Sequence, residues 1–178
     1  MTDTAIEILL NKQAITEVLY RYCRAMDRID REATLAIWHP DGTCNYSSTP
    51  GVPDMLFRDY LTGSTKSRQG FDNHSHQITN ILIELAGDRA VSEAYFTASL
   101  QTEPTDGLVT EHLWRGRYLD RWSKRDGDWA IDHRQVVFDS YTPYDFPAER
   151  AKGAPTTLSR RDGGDPSYAH FKDFRSTD

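Results

Sequence analysis

The chain has 178 residues, of which 38% are hydrophobic and 27% charged, enough for one domain whose core needs no disulfide staples. Its formal net charge of −6, with no basic run beyond pairs such as Arg160-Arg161, argues against nucleic acid as a partner. No apolar run approaches the roughly 18 residues of a membrane span, so no membrane role is expected either.

The N-terminal stretch MTDTAIEILL lacks the basic start and small-residue cleavage site of a signal peptide. Cys23 and Cys44 form no recognisable framework, so a reduced, cytoplasmic protein is the expectation.

Residues 5–30 read as one helix. Ile15, Val18, Leu19, Tyr22 and Met26 recur at the spacing of a single apolar face. At about 100° per residue, Tyr20, Cys23 and Asp27 fall together at one border of that stripe. Arg21, Arg24 and Arg28 fall on the opposite, wet side. A carboxylate and a phenol thus stand at the rim of whatever the helix covers. The plain alternative is a surface aspartate beside Arg24 or Arg28.

Asp30 can cap a second helix, Arg31 to Trp38, which Pro40 stops before a turn at Pro40-Asp41-Gly42. Thr43 to Ser48 reads as a short strand carrying Tyr46. With Pro53 before it and Gly63 after it, Asp54 to Thr62 reads as a third helix. Residues 64–72 read as a polar loop.

From His74 the period becomes two, giving strands His74–Leu85, Arg89–Gln101, Leu108–Trp122 and Trp129–Phe138. Helices followed by this meander predict an α+β domain, with helices on one face of a curved, mainly antiparallel sheet. Beyond Tyr141 the composition shifts toward proline, glycine and charge. The expected organisation is a domain over 1–145 and a tail over 146–178, which packs on the domain or on a neighbouring subunit and is partly irregular.

Alternation places His74, His76, Ile78, Asn80 and Leu82 on one face of their strand, a floor that is apolar at one end and imidazole-bearing at the other. In the last strand Asp132, Arg134, Val136 and Phe138 share a face. Arg134 points inward there or lies on an edge. In the third strand Thr110, His112, Trp114 and Tyr118 oppose a charged face of Glu111, Arg115, Arg117 and Arg121. His74-x-His76 suggests a metal pair. The next acid on that strand, Glu84, stands eight residues after His76, too far to complete such a site, and no metal is expected. No nucleophile elbow, phosphate loop or dinucleotide fingerprint is present.

Taken in order, Tyr22-x4-Asp27, His39-Pro40-Asp41-Gly42, Tyr46, His76-x-x-Thr79-Asn80 and Asp126-Gly-x-Trp129 resemble the SnoaL-like branch of the NTF2-like superfamily over roughly residues 8–145. The resemblance implies a cone-shaped α+β fold of the cystatin-like barrel type. It is nearest to the dehydratase-type members: scytalone dehydratase, bile acid 7α-dehydratase and hexachlorocyclohexane dehydrochlorinase. These use an Asp–His pair at the bottom of the pocket, which maps onto Asp27 and His76.

Tyr22 and Tyr46 match phenols that hydrogen-bond substrate, and Arg134 matches an arginine of the last strand. The resemblance implies His76 as general base, with Asp27 as its orienter or, alternatively, as the base itself. His74, His112, Asn80 and Phe138 become candidate substrate-binding residues. The implied activity is a cofactor-independent lyase, a dehydratase acting on a hydrophobic cyclic molecule in a homotrimer or dimer. An isomerase or cyclase on the same site, and a non-catalytic binding or assembly module, are the alternatives.

Overall fold

The computed structural model describes residues 4–47, 49–68, 70–151 and 159–175. Helix α1 (Ala5–Asp27) opens on a capping box, in which the Thr4 hydroxyl accepts the Glu7 amide and the Glu7 carboxylate accepts the Thr4 amide. The residues Ile15, Val18, Leu19, Tyr22 and Met26 are all buried, as their spacing predicts. Each such side chain removed from water stabilises the fold by roughly 1.5–3 kcal/mol.

α1 stops at Asp27, three residues before the expected end. The Asp30 amide donates to the Ala25 carbonyl and the Ile29 amide to that of Met26, while Ile29 turns to φ +52°. This is a Schellman ending with isoleucine where glycine is usual. Asp30 then caps α2 (Arg31–Leu35), its carboxylate accepting the Ala33 amide at 3.0 Å.

α2 is shorter than predicted because Trp38 already belongs to β1 (Trp38–Asn45), where it is buried against Phe57. Trp38 pairs with Ile131 and Thr43 with His133, so Pro40-Asp41-Gly42 loops out as a bulge inside that strand, where a turn is predicted. Met55–Leu56 forms a short strand, β2, on Thr43 and Cys44, and α3 runs Phe57–Arg68, through Gly63. Burial of Phe57 and Leu61 shifts this helix later than predicted and absorbs the expected loop at 64–68. Ser48 and Gln69 lie outside the described residues.

The strands β3 (Phe71–Ala86), β4 (Arg89–Thr102), β5 (Leu108–Arg125) and β6 (Asp128–Pro147) complete an open six-stranded sheet in the order β2-β1-β6-β5-β4-β3. Every pairing is antiparallel except β1 with β6. The fold is therefore α+β, a curved sheet with helices packed on it; α1 lies on β3 and β6. β6 runs nine residues beyond the predicted Phe138, because residues 140–147 pair with the start of β5. A one-turn helix α4 (Ala148–Ala151) and, after residues outside the described set, α5 (Pro166–Arg175) follow. Among the described residues, no helix is long and apolar enough to cross a membrane.

Candidate active site

The last turn of α1 carries Asp27 to the end of β3 that bears His76. His76 Nδ1 stands 2.6 Å from Asp27 Oδ1, and the His76 amide donates to both carboxylate oxygens at 3.1 Å. Because a carboxylate only accepts, Nδ1 carries the proton, and Nε2 keeps the lone pair in the neutral ring. The His76 side chain is 7% exposed and that of Asp27 18%, so the contact is shielded from bulk water.

His76 borders a cavity of about 350 Å³. Tyr22, Tyr46, Tyr60, Tyr118 and Ser64 are its other polar groups. Phe71, Phe96, Ala98, Leu100, Trp114, Val136 and Phe138 make the rest of the wall. Tyr22 and Tyr46 share a hydrogen bond of 2.8 Å, and Tyr46 stacks on Tyr60 with centroids 4.1 Å apart. Burial, and then the neighbouring Tyr22, hold the phenols of Tyr46 and Tyr118 well above the usual range. Both stay protonated near neutrality and remain donors.

Arg134 is wholly buried but does not border the cavity. Its guanidinium carbon sits 3.9 Å from the Tyr118 ring centroid and 4.3 Å from that of Tyr22. It points inward, as one of the two sequence alternatives has it. Burial disfavours its charge, but the paired Asp120 carboxylate outweighs that and holds the guanidinium well above the usual arginine range. Its positive charge therefore lies behind the phenols, against the rings of Tyr22 and Tyr118.

The other expected contacts divide. Phe138 lines the cavity. Asn80 does not: it is exposed at φ +49° in a bulge between Thr79 and Leu82. The bulge resets the alternation, turning Leu82 outward and Ile81 and Ile83 to the core. His74 is buried behind the wall, its ring between those of Phe71 and His76. His112 sits beyond the wall, its Nδ1 2.6 Å from the Tyr141 hydroxyl and its ring edge-on to Phe71. Among the described residues, no three histidine, cysteine or carboxylate side chains converge as metal ligands would.

Sequence reasoning passed over Tyr60, Tyr118, Phe96 and Asp120. Asp120 had a signal: it alternates with Tyr118 and Trp122 on a buried strand face, where an acid demands a cation opposite.

A profile of the SnoaL-like domain matches residues 7–135. Among solved structures, a candidate scytalone dehydratase from Novosphingobium aromaticivorans superposes with a TM-score of 0.67 at 22% identity, over 76% of this chain and 89% of that one. The Kfla4162 protein of Kribbella flavida gives 0.67 at 19%, over 76% and 95%. A type 3 hexachlorocyclohexane dehydrochlorinase from Novosphingobium barchaimii gives 0.66 at 14%, over 79% and 94%. At these identities the likeness is one of fold. No functionally curated protein matches the sequence significantly.

Proposed function

The chain belongs to the SnoaL-like family, and we propose that it is a cofactor-independent lyase that removes water from a hydrophobic, cyclic β-hydroxy carbonyl compound. The observation that carries this reading is the 2.6 Å contact between Asp27 and His76 Nδ1 on the border of an apolar cavity. With Nδ1–H given to the carboxylate, Nε2 is the lone-pair nitrogen and serves as the base.

In the proposed reaction His76 Nε2 takes the acidic proton on the carbon beside the carbonyl, and Asp27 stabilises the imidazolium that forms. The C–H electron pair becomes an enolate, which the Tyr22–Tyr46 phenols steady by hydrogen bonding. The enolate then collapses, the C–O bond at the β carbon breaks, and the imidazolium or a phenol protonates the departing hydroxide. An α,β-unsaturated carbonyl and water are the products. Arg134, held behind Tyr22 and Tyr118, biases the site toward developing negative charge.

Asp27 is less suited to be the base, because its oxygens already accept one ring and two backbone contacts from His76 and it does not border the cavity. A non-catalytic module would have this pair apart or the cavity filled by its own side chains. The contact and the open volume support an enzyme instead.

The test is a panel of cyclic β-hydroxy ketones, followed by enone absorbance, against the wild-type chain and His76→Ala. Turnover that falls by several orders of magnitude in the variant, with the fold retained, supports the proposal. Equal rates in the two proteins refute His76 as base, and saturable binding without turnover across the panel favours the binding-module reading.

A further inference from the structure

The end of α1 is a poor place to hold an anion. Asp27 lies at the carboxyl end of the helix, where the backbone dipole opposes negative charge. Two residues later Ile29 adopts φ +52°, a conformation that a β-branched side chain resists. Such strain persists only where surrounding contacts over-determine the backbone.

Beside the backbone bonds of the helix end, contacts on either side of Ile29 come from the far end of the chain, beyond the family match that stops at residue 135. Asp165, only 5% exposed, accepts Arg28 Nε at 3.1 Å. The Ser167 hydroxyl accepts Arg24 Nη2 and Arg28 Nε, each at 3.2 Å. The Tyr168 hydroxyl donates to Asp30 Oδ2 at 2.8 Å, and Arg24 covers its ring at 4.5 Å. Asp165 also accepts the Arg160 and Ser167 amides, which fixes the loop that presents it.

The tail therefore grips α1 one turn before and immediately after Asp27. It also grips Asp30 just beyond the strained Ile29. Through Asp30 it reaches α2, since the other oxygen of that carboxylate caps the helix. Asp27 meanwhile meets β3 at His76.

We propose that Asp165, Ser167 and Tyr168 are positioning residues: they clamp the α1–α2 corner and so hold the Asp27 carboxylate on His76. The clamp concerns the geometry of that pair, and only its effect on turnover rests on the lyase reading.

The experiment uses the full-length chain carrying Asp165→Asn or Tyr168→Phe, each with and without Ile29→Gly. The readout is solvent exchange of the His76 Nδ1–H proton by NMR, beside exchange of the α5 amides. With Asp165→Asn the His76 proton is expected to exchange about tenfold faster or more, as local opening of the corner exposes it. Tyr168→Phe, which removes only the hydroxyl that donates to Asp30, is expected to shift it the same way by less. Glycine at position 29 takes the left-handed conformation without strain and is expected to restore part of the protection.

In a turnover assay the same variants lower kcat with little change in KM. Loosened α5 amides beside an unchanged His76 proton would overturn the clamp. Absence of turnover in every protein, wild type included, would sink the lyase reading and leave the NMR result to decide the clamp by itself.

Discussion

Arg134 donates from Nε and Nη2 to the two carboxylate oxygens of Asp120, at 2.7 and 2.8 Å, and neither side chain is exposed to solvent. Nη1 is buried with no hydrogen-bond partner among the described residues, and the rings of Tyr22 and Tyr118 lie against the guanidinium. Two buried charges that neutralise each other tolerate joint removal better than the loss of one. Asp120→Asn is expected to cost about 3–5 kcal/mol in urea unfolding, because a buried cation is left without its counter-charge. The double variant Asp120→Leu/Arg134→Met should lose far less than the sum of its single changes. A cost below about 1 kcal/mol for Asp120→Asn would show that the pair is not needed for the fold.

Asp27→Asn separates orientation from charge. The amide is nearly isosteric, but its NH2 group now meets one of the His76 donors that the carboxylate accepted. The Nδ1–H tautomer loses its reason to dominate, and the imidazolium loses its counter-charge. The expected outcome is a fall in kcat of roughly 10²- to 10⁴-fold with KM nearly unchanged. Steady-state kinetics on the best substrate of the panel would decide it, and a change confined to KM would contradict the role.

The apolar face of α1 was legible in the sequence because helical periodicity is a one-dimensional property, and Ile15 to Met26 display it without reference to any neighbour. Spacing placed Asp27 at the border of the helix stripe and His76 on a strand face, but only the resemblance paired them, since nothing in local spacing tells that a helix end and a strand end meet. Asn80 was misplaced because alternation assumes an unbroken pleat, and one bulge exchanges the faces of everything after it. Trp38 was assigned to a helix because α2 is too short for periodicity to end it, and tertiary burial of the indole decides the matter. The Arg134–Asp120 pair needed the register of β5 on β6, which pairs them directly and which no spacing within one strand encodes. The docking of Asp165 to Tyr168 on α1 had no sequence signal, for it joins residues more than a hundred apart through side-chain geometry.

Gly116 sets the shape of the cavity wall. It faces Phe138 at an irregularity in the β5–β6 register, and a Cβ there would collide with the Val137 carbonyl, with Phe96 Cε1 at 2.9 Å and with Phe138 Cα at 3.1 Å. Phe96 and Phe138 both line the cavity, so relief of the collision must move the wall or part the two strands. Gly116→Ala is expected to destabilise the protein by about 1–3 kcal/mol, as overpacking does. It should also weaken binding of bulky ligands more than small ones. Calorimetry with a graded series of cyclic ketones checks this, and uniform affinities across the series would count against a wall displacement.

Acid should release the tail before it unfolds the domain. Hydrogen bonds from the Ser167 hydroxyl, the Arg160 amide and the Ser167 amide, together with Arg28, hold the Asp165 carboxyl well below the usual carboxylate range. Its folded-state pKa is depressed, so its contribution is complete above the ordinary value of about 3.9 and is lost as pH falls below it. The expected window therefore opens near pH 4 and widens toward pH 2, with the loss growing as the carboxyl protonates. Amide exchange in α5 should accelerate across that window, while the buried face of α1 at Ile15 and Leu19 stays protected. In Asp165→Asn the α5 amides should exchange at the faster rate already at neutral pH and lose their dependence on acid. An α5 that keeps its protection down to pH 2 would show that Arg24, Tyr168 and Asp30 hold the tail without Asp165.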